Sequence, residues 1–145
     1  MTAAASASEA RDPSPVLTGR GATGSGLAYR DRGEGEPVVL LHGQPGEAAD
    51  WDPVVARLAG THRLIVPDRP GYGASAGPPA GPGGNADAVH RLLGDIGSGP
   101  VTVVGHSYGA AVAVRLAELY PADVSGLVLV GPAVNLAALD RTDHV

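Results

Sequence analysis

The amino-acid sequence predicts an α/β fold, arranged as a three-layer sandwich around a mostly parallel sheet. First, apolar segments of strand length alternate with helical segments from about residue 26 onward. Second, the segment Val38–Leu41 is continuously apolar, which is typical of strands buried on both faces of a parallel sheet. Third, the polar residues His42, Asp68, His106 and Ser107 fall at or just past predicted strand ends, where such sheets bind ligands.

The chain of 145 residues supports one domain with one modest core. Residues 1–22 are rich in Ala, Ser, Thr and Gly and are predicted to form a flexible tail, which leaves residues 23–145 as the core. Within the core, the first strands are expected at Leu27–Asp31 and Val38–Leu41, with a Gly- and Pro-containing turn between them.

The first helix is predicted over Asp50–Ala59. Asp50 is a suitable N-cap, Pro53 falls in the first turn, and Gly60 follows the last helical residue. The next strand, Leu64–Val66, is closed by a proline. This part of the chain therefore reads as a strand, a helix and a second strand, which is the repeating unit of a parallel sheet.

The later elements continue the alternation. A long Gly- and Pro-rich loop is expected from Asp68 to Gly84, followed by the helix Ala86–Ile96, for which Asn85 is the predicted cap. The last three predicted elements are the strand Val101–Val104, the helix Tyr108–Tyr120 and the strand Leu127–Val130. Small residues on one face of the helix Tyr108–Tyr120 would let it lie close to the sheet.

Composition narrows the function classes. The net charge of −5 gives no sign of a nucleic-acid partner, and the absence of cysteine excludes disulfides and thiolate metal sites. The apolar runs are far shorter than the roughly 20 residues of a membrane helix. No charged start followed by an apolar stretch marks a secretory signal. A cytoplasmic protein without a membrane partner is therefore expected.

The motif Gly105-His106-Ser107-Tyr108-Gly109 carries the chemistry. It follows a predicted strand and opens a predicted helix, and the two glycines allow a sharp turn that lifts Ser107 above the sheet. Such a turn exposes a serine hydroxyl as a nucleophile, so Ser107 is the candidate catalytic residue. The alternative is an ordinary tight turn whose serine only caps the helix.

A second motif, His42-Gly43-Gln44-Pro45, follows the predicted strand Val38–Leu41. A tetrahedral oxyanion needs two N–H donors, one from the residue after the nucleophile and one from the loop after this strand. The backbone N–H groups of Tyr108 and Gln44 are the candidates, and Gly43 gives the chain room to turn. The alternative is an ordinary loop in which His42 bonds to the backbone.

The third motif, Asp68-Arg69-Pro70-Gly71-Tyr72-Gly73, follows the strand Leu64–Val66. Asp68 is expected to hold this loop by hydrogen bonds rather than to act as a catalytic acid. His42, Gly43, Asp68 and His106 are thus predicted to support the site. Trp51 is expected to pack in the core. The scattered histidines show no metal-ligand spacing, so no metal site is expected.

Together these motifs resemble the N-terminal half of an α/β-hydrolase of the esterase, epoxide-hydrolase and haloperoxidase-like group. The resemblance covers about residues 26–136 and includes the order and spacing of the three motifs. The second and third motifs, His42–Pro45 and Asp68–Gly73, resemble those of epoxide hydrolases and dehalogenases, but these enzymes use Asp as the nucleophile, whereas this chain has Ser107. The resemblance implies hydrolysis of a small ester or related acyl substrate, without a cofactor.

In the family, an acid and then a histidine follow the nucleophile along the chain, and a cap follows the strand that corresponds to Leu127–Val130. The chain is therefore expected to be a truncated core that lacks the cap, the C-terminal strands and the triad acid and base, with little turnover. Asp140, Asp143 and His144 come after this strand, and His144 is not expected to act as the base.

Two other functions stay open. The strand Leu127–Val130 would be an exposed apolar edge, so the chain could be a non-catalytic half-domain that pairs with a partner or a second copy. Alternatively, the parent could be a cofactor-free haloperoxidase-like or carbon–carbon bond hydrolase, since these enzymes share the serine turn.

Overall fold

A six-stranded mixed sheet forms the centre of the protein. The computed structural model describes the backbone of residues 17–20 and the whole of residues 26–131. The strands are β1 Leu17–Arg20, β2 Ala28–Arg32, β3 Glu36–Leu41, β4 His62–Pro67, β5 Val101–His106 and β6 Val124–Val130. Their order across the sheet is β1-β2-β4-β3-β5-β6.

The part of the sheet that carries the site is parallel. β4, β3, β5 and β6 pair in parallel, whereas β1 and β2 add antiparallel strands at one side. Val39 of β3 lies in register with Ile65 of β4 and Val103 of β5. The carboxyl ends of these strands therefore lie along one edge, where the predicted motifs begin.

Helices cover both faces of the sheet. They are α1 Asp52–Leu58, α2 Pro82–Ile96 and α3 Tyr108–Leu119, with 3-10 turns at Ala48–Trp51 and Pro121–Asp123. One apolar cluster joins α2 and α3 to one face, and a second joins α1 to the other. Alternate residues of β3 divide between them: Val39 and Leu41 belong to the first cluster, Val38 and Leu40 to the second. The predicted α/β class with a mostly parallel sheet is confirmed.

Small residues on α3 allow it to pack tightly on the sheet. Ala110, Ala111, Val112 and Ala113 are all fully buried, because short side chains let the helix axis approach the strands closely. α3 is also the element whose predicted bounds agree most closely with the structure.

Two predicted helix starts are wrong. Asp50 does not cap a helix that begins there, because Glu47 and Asp50 form a reciprocal capping box around the 3-10 turn that precedes α1. α2 begins at Pro82 rather than at Ala86, since proline is well suited to the first helical position. Asn85 is therefore a buried residue of the first turn and not a cap.

The predicted strands lie in the right places but are too short, as in Leu127–Val130, which in the structure begins at Val124. The strand predicted at Leu27–Asp31 is shifted by one residue, to Ala28–Arg32. β1 lies in the segment predicted as a tail, where it pairs with β2. The rest of that tail, residues 1–16 and 21–22, is outside the described residues, as are residues 132–145 with Asp140, Asp143 and His144.

β6 lies at the outer side of the parallel part and pairs only with β5 among the described strands. Its residues Leu127, Val128 and Val130 are 40%, 47% and 44% exposed. The expectation of an exposed apolar edge at this strand agrees with these values. Among the described residues, no helix combines the length and apolar character needed to cross a membrane.

Candidate active site

Ser107 occupies the turn between β5 and α3. Its φ of 54° and ψ of −118° make it the one non-glycine residue with positive φ in the described part of the chain. Its N–H donates to the carbonyl of Val130 at 3.0 Å, and its carbonyl accepts from the N–H of Ala110 at 3.0 Å. These two bonds fix the turn at both of its peptide groups. The residue itself is half-buried and lies at the edge of the sheet where β5 ends.

The two glycines of the motif are required by close contacts. A Cβ on Gly105 would lie 2.7 Å from the Cα of Ala110, in the first turn of α3. A Cβ on Gly109 would overlap the carbonyl of Leu41 and lie 2.8 Å from that of His42. The start of α3 therefore lies directly against both β5 and the end of β3. A side chain at Gly105 would push α3 away from β5, and one at Gly109 would push it away from β3.

The loop after β3 lies beside the serine. A Cβ on Gly43 would be 3.2 Å from the Cβ of Ser107 and 3.2 Å from Nδ1 of His106. Gly43 is buried, whereas Gln44 is exposed and precedes Pro45 through a cis peptide bond. The structure thus brings together Ser107, Tyr108 and the 42–45 loop, as the sequence predicts.

His42 is a buried, neutral structural residue. Its Nε2 accepts the backbone N–H of Arg69 at 2.9 Å, so the proton of the ring is on Nδ1, which donates to the carbonyl of Gly43 at 2.8 Å. Burial lowers the pKa of His42 and outweighs the opposing effect of the Gly43 carbonyl. Both ring nitrogens are occupied, so His42 is not available as a base.

Arg69 is the residue of this site that sequence reasoning missed. It is 1% exposed, and its guanidinium donates to the carbonyls of His42 at 2.9 Å and Gly43 at 3.0 Å and to Oδ1 of Asn85 at 3.1 Å. The rings of Tyr72 and Tyr108 lie 4.9 and 4.8 Å from its Cζ. Arginine is rarely buried, so the residue type gave no indication that Arg69 lies in the interior. Only its place in the third motif connected it with the site.

Burial lowers the pKa of Arg69, and the two tyrosines oppose that effect. No carboxylate in the described ranges forms an ion pair with it, and its hydrogen bonds go to neutral oxygens. The site therefore contains a buried cation that is satisfied by carbonyl oxygens and aromatic rings rather than by an acid.

Asp68 holds the loop after β4. Its Oδ1 accepts the N–H of Ala48 at 2.7 Å, and its Oδ2 accepts the N–H of Ala74 at 3.0 Å. A side chain on Gly73 would overlap the Asp68 carboxylate, and the φ of 51° at Gly73 also favours glycine. These bonds agree with the predicted structural role.

A cavity of about 390 Å³ opens over the serine. Its lining residues are His42, Gly43, Gln44, Pro45, Asp50, Trp51, His106, Ser107 and Val130. Trp51 also packs on the α1 side of the core, as predicted, so it belongs both to the core and to the cavity wall. Within the described ranges, no group of three His, Asp or Glu side chains could hold a metal ion.

Comparison with known proteins gives the family. A sequence model of the alpha/beta hydrolase fold matches residues 36–143. The chain belongs to the alpha/beta hydrolase family. The resemblance drawn from the three motifs is therefore confirmed.

The similar alpha/beta hydrolases have different activities. The chain is 40% identical over 102 residues to Lipase LipV of Mycobacterium tuberculosis, covering 68% of this chain and 38% of the lipase. It is 32% identical to the 2-(acetamidomethylene)succinate hydrolase of Mesorhizobium japonicum, and the match covers 81% of this chain and 44% of that hydrolase. The structure of the epoxide hydrolase CorEH is similar at a TM-score of 0.68 and 33% identity, covering 71% of this chain and 37% of that one.

This alpha/beta hydrolase chain thus spans less than half the length of these relatives. In such enzymes, fold alone does not determine the reaction, because the same framework carries different chemistry. Membership shows a hydrolase-type framework, and the reaction has to be argued from the site.

Proposed function

We propose that Ser107 is the nucleophile of a serine-type hydrolase that acts on a small ester or related acyl substrate. The observation that carries this proposal is the backbone of Ser107, a positive-φ turn between a buried strand and a helix that opens onto the cavity. A non-glycine residue in this conformation costs about 1–3 kcal/mol and is typical of functional sites. A serine that only capped the helix would not need it, and the Ser107 side chain makes no cap hydrogen bond.

The proposed reaction begins when Oγ of Ser107 attacks the substrate carbonyl. The carbonyl oxygen gains negative charge, and the N–H groups of Tyr108 and Gln44 stabilise it. The hydroxyl proton of Ser107 passes through the base to the departing alcohol as the ester C–O bond breaks, and water then hydrolyses the acyl-serine, which releases the acid and restores the hydroxyl. This chemistry requires no cofactor, because the nucleophile and the two donors all belong to the protein.

The base and the acid are proposed to lie outside the described residues. His42 is excluded because both ring nitrogens are occupied. His106 lines the cavity and is exposed, but no hydrogen bond joins it to Ser107 in the described part of the chain. Pairing with a base contributes several orders of magnitude to the rate of such a serine, so we expect slow turnover as long as no base contacts Ser107.

A fluorophosphonate probe tests the nucleophile without requiring full turnover. The Ser107 Oγ–P bond forms, the P–F bond breaks, fluoride leaves, and the hydroxyl proton passes to solvent. Because no described residue acts as the base, labelling should be slow. After prolonged incubation in mildly alkaline buffer, intact-mass and peptide analysis should find the adduct on Ser107. Ser107→Ala should abolish it, whereas Ser125→Ala, at an exposed serine of β6, should label like the wild type. An unlabelled Ser107 in the folded wild type would refute the proposed role.

Turnover of a p-nitrophenyl ester should be slow in the wild type and in Ser107→Ala alike. Fast, Ser107-dependent turnover would contradict this expectation.

The exposed strand β6 favours a second candidate, association through the open edge of the sheet. Leu127 on one face of β6 and Val128 and Val130 on the other are exposed, and the outer side of β6 pairs with no other described strand, so it is a template for pairing with a partner or a second copy. Size-exclusion chromatography with light scattering should then show a dimer or larger species that Val128→Lys weakens. A monomer at high concentration would refute pairing with a second copy.

A further inference from the structure

Arg69 contacts both segments that carry the proposed oxyanion donors. It binds the carbonyls of His42 and Gly43, which directly precede Gln44, and the ring of Tyr108 lies against its guanidinium. We propose that Arg69 is a positioning residue that orients the N–H of Gln44 toward the oxyanion. This inference rests on the proposed function of Ser107.

The argument starts from one peptide group. The carbonyl of Gly43 and the N–H of Gln44 belong to the same planar unit, and this bond is trans, so the two groups point in opposite directions. Nη2 of Arg69 and Nδ1 of His42 both donate to that carbonyl, at 3.0 and 2.8 Å. Because the carbonyl is held toward the buried Arg69, the N–H of Gln44 is directed away from it.

The charge of Arg69 adds to this orientation. A cation bonded to a peptide carbonyl polarises the whole peptide group, which strengthens the N–H on its other side as a donor. The bond also lies in a buried region, where electrostatic effects are screened less than in water. The N–H of Gln44 is therefore both fixed in direction and strengthened.

The cost of burying Arg69 supports a functional reason. A buried cation without a carboxylate is expensive, and an apolar side chain could fill the same space. Here the guanidinium instead makes bonds to Asn85 of α2 and to the 42–43 backbone, so that one side chain fixes the loop to the helix. Lysine cannot reproduce this planar set of donors.

The test compares fluorophosphonate labelling of Ser107 in the full chain. Arg69→Met should slow labelling by about tenfold to a hundredfold, because one oxyanion donor is no longer held in place. The matched control is Arg63→Met, which removes a partly buried arginine that pairs with Asp31 away from the site, and it should label at the wild-type rate. Equal rates for Arg69→Met and Arg63→Met would overturn the inference and leave the nucleophile intact.

A second measurement is independent of reactivity. In NMR spectra, Arg69→Met should shift the Gly43 carbonyl carbon and the Gln44 amide, and the Gln44 amide should become more mobile, while Arg63→Met leaves both unchanged. If the wild type is not labelled, the proposed function fails, and these spectra alone decide whether Arg69 orients the peptide. Unchanged Gly43 and Gln44 signals in Arg69→Met would overturn the inference in either case.

Arg69→Lys keeps the test valid if Arg69→Met does not fold. Lysine retains the charge but cannot bond both backbone carbonyls and Asn85 in the same arrangement. It should therefore slow labelling and shift the Gln44 amide while circular dichroism stays native. Wild-type labelling by a folded Arg69→Lys protein would overturn the inference.

Discussion

Replacing Ser107 with glycine should stabilise the protein while removing the nucleophile. The φ of 54° and ψ of −118° cost a residue with a Cβ about 1–3 kcal/mol, which glycine avoids. Glycine also has more freedom to lose on folding, which offsets about 0.5–1 kcal/mol of that gain. Relative to Ser107→Ala, Ser107→Gly should therefore raise the free energy of unfolding by about 0.5–2 kcal/mol.

The two variants form a matched pair, because both lack the hydroxyl and differ only in the Cβ. Urea unfolding followed by circular dichroism measures the difference, with the slope m checked to be equal in both. The melting temperature should rise by roughly 2–4 °C for each kcal/mol in a domain of this size. If Ser107→Gly is no more stable than Ser107→Ala, the turn is not strained, and the main support for Ser107 as the nucleophile is lost.

Two further predictions concern residues beside the serine turn. Gly109→Ala should lower the free energy of unfolding by about 1–3 kcal/mol, because its Cβ would overlap the Leu41 carbonyl. The control Gly94→Ala, in open space on α2, should raise it by about 0.5–1 kcal/mol, and a loss below about 1 kcal/mol in Gly109→Ala would contradict the close packing of α3 on β3. Burial lowers the pKa of His42 below its ordinary value of 6.5, so below that pH the unfolded state takes up a proton that the folded state resists. The stability contributed by His42 should thus be complete above about pH 6.5 and decrease as the pH falls toward the lowered pKa. The stability advantage of the wild type over His42→Gln, measured by urea unfolding, should shrink in that range, and a constant advantage would contradict a buried neutral imidazole.

The fold and the centre of the site could be predicted from local sequence patterns. The continuous apolar strands, the glycines around Ser107 and the small residues of α3 each have one favoured structural interpretation, and the structure agrees with all three. The ends of helices and strands were harder to predict, because they depend on hydrogen bonds and contacts that the pattern of apolar residues does not contain. The capping box of Glu47 and Asp50 is an example: it moved the start of α1 by bonding within a separate 3-10 turn.

The interior of the site could not be predicted because it depends on contacts between distant residues. Arginine and asparagine are usually exposed, so nothing local indicated that Arg69 and Asn85 are buried against each other. The state of the His42 ring depends on an N–H donated 27 residues later. In the structure, two hydrogen bonds join the His42 ring to the backbone, and these bonds leave the proposed role of the Gln44 N–H untouched.

The serine turn and the exposed edge of the sheet are directly connected. The strained backbone of Ser107 is held by its N–H bond to the Val130 carbonyl, at the end of β6. Because β6 is the edge strand of the described sheet and its apolar side chains are exposed, its end is restrained mainly by pairing with β5. Anything that covers β6, whether more of the same protein or a partner, would also stabilise the turn that presents the serine. The two proposed functions therefore need not exclude each other, since association at β6 would strengthen the geometry on which catalysis depends.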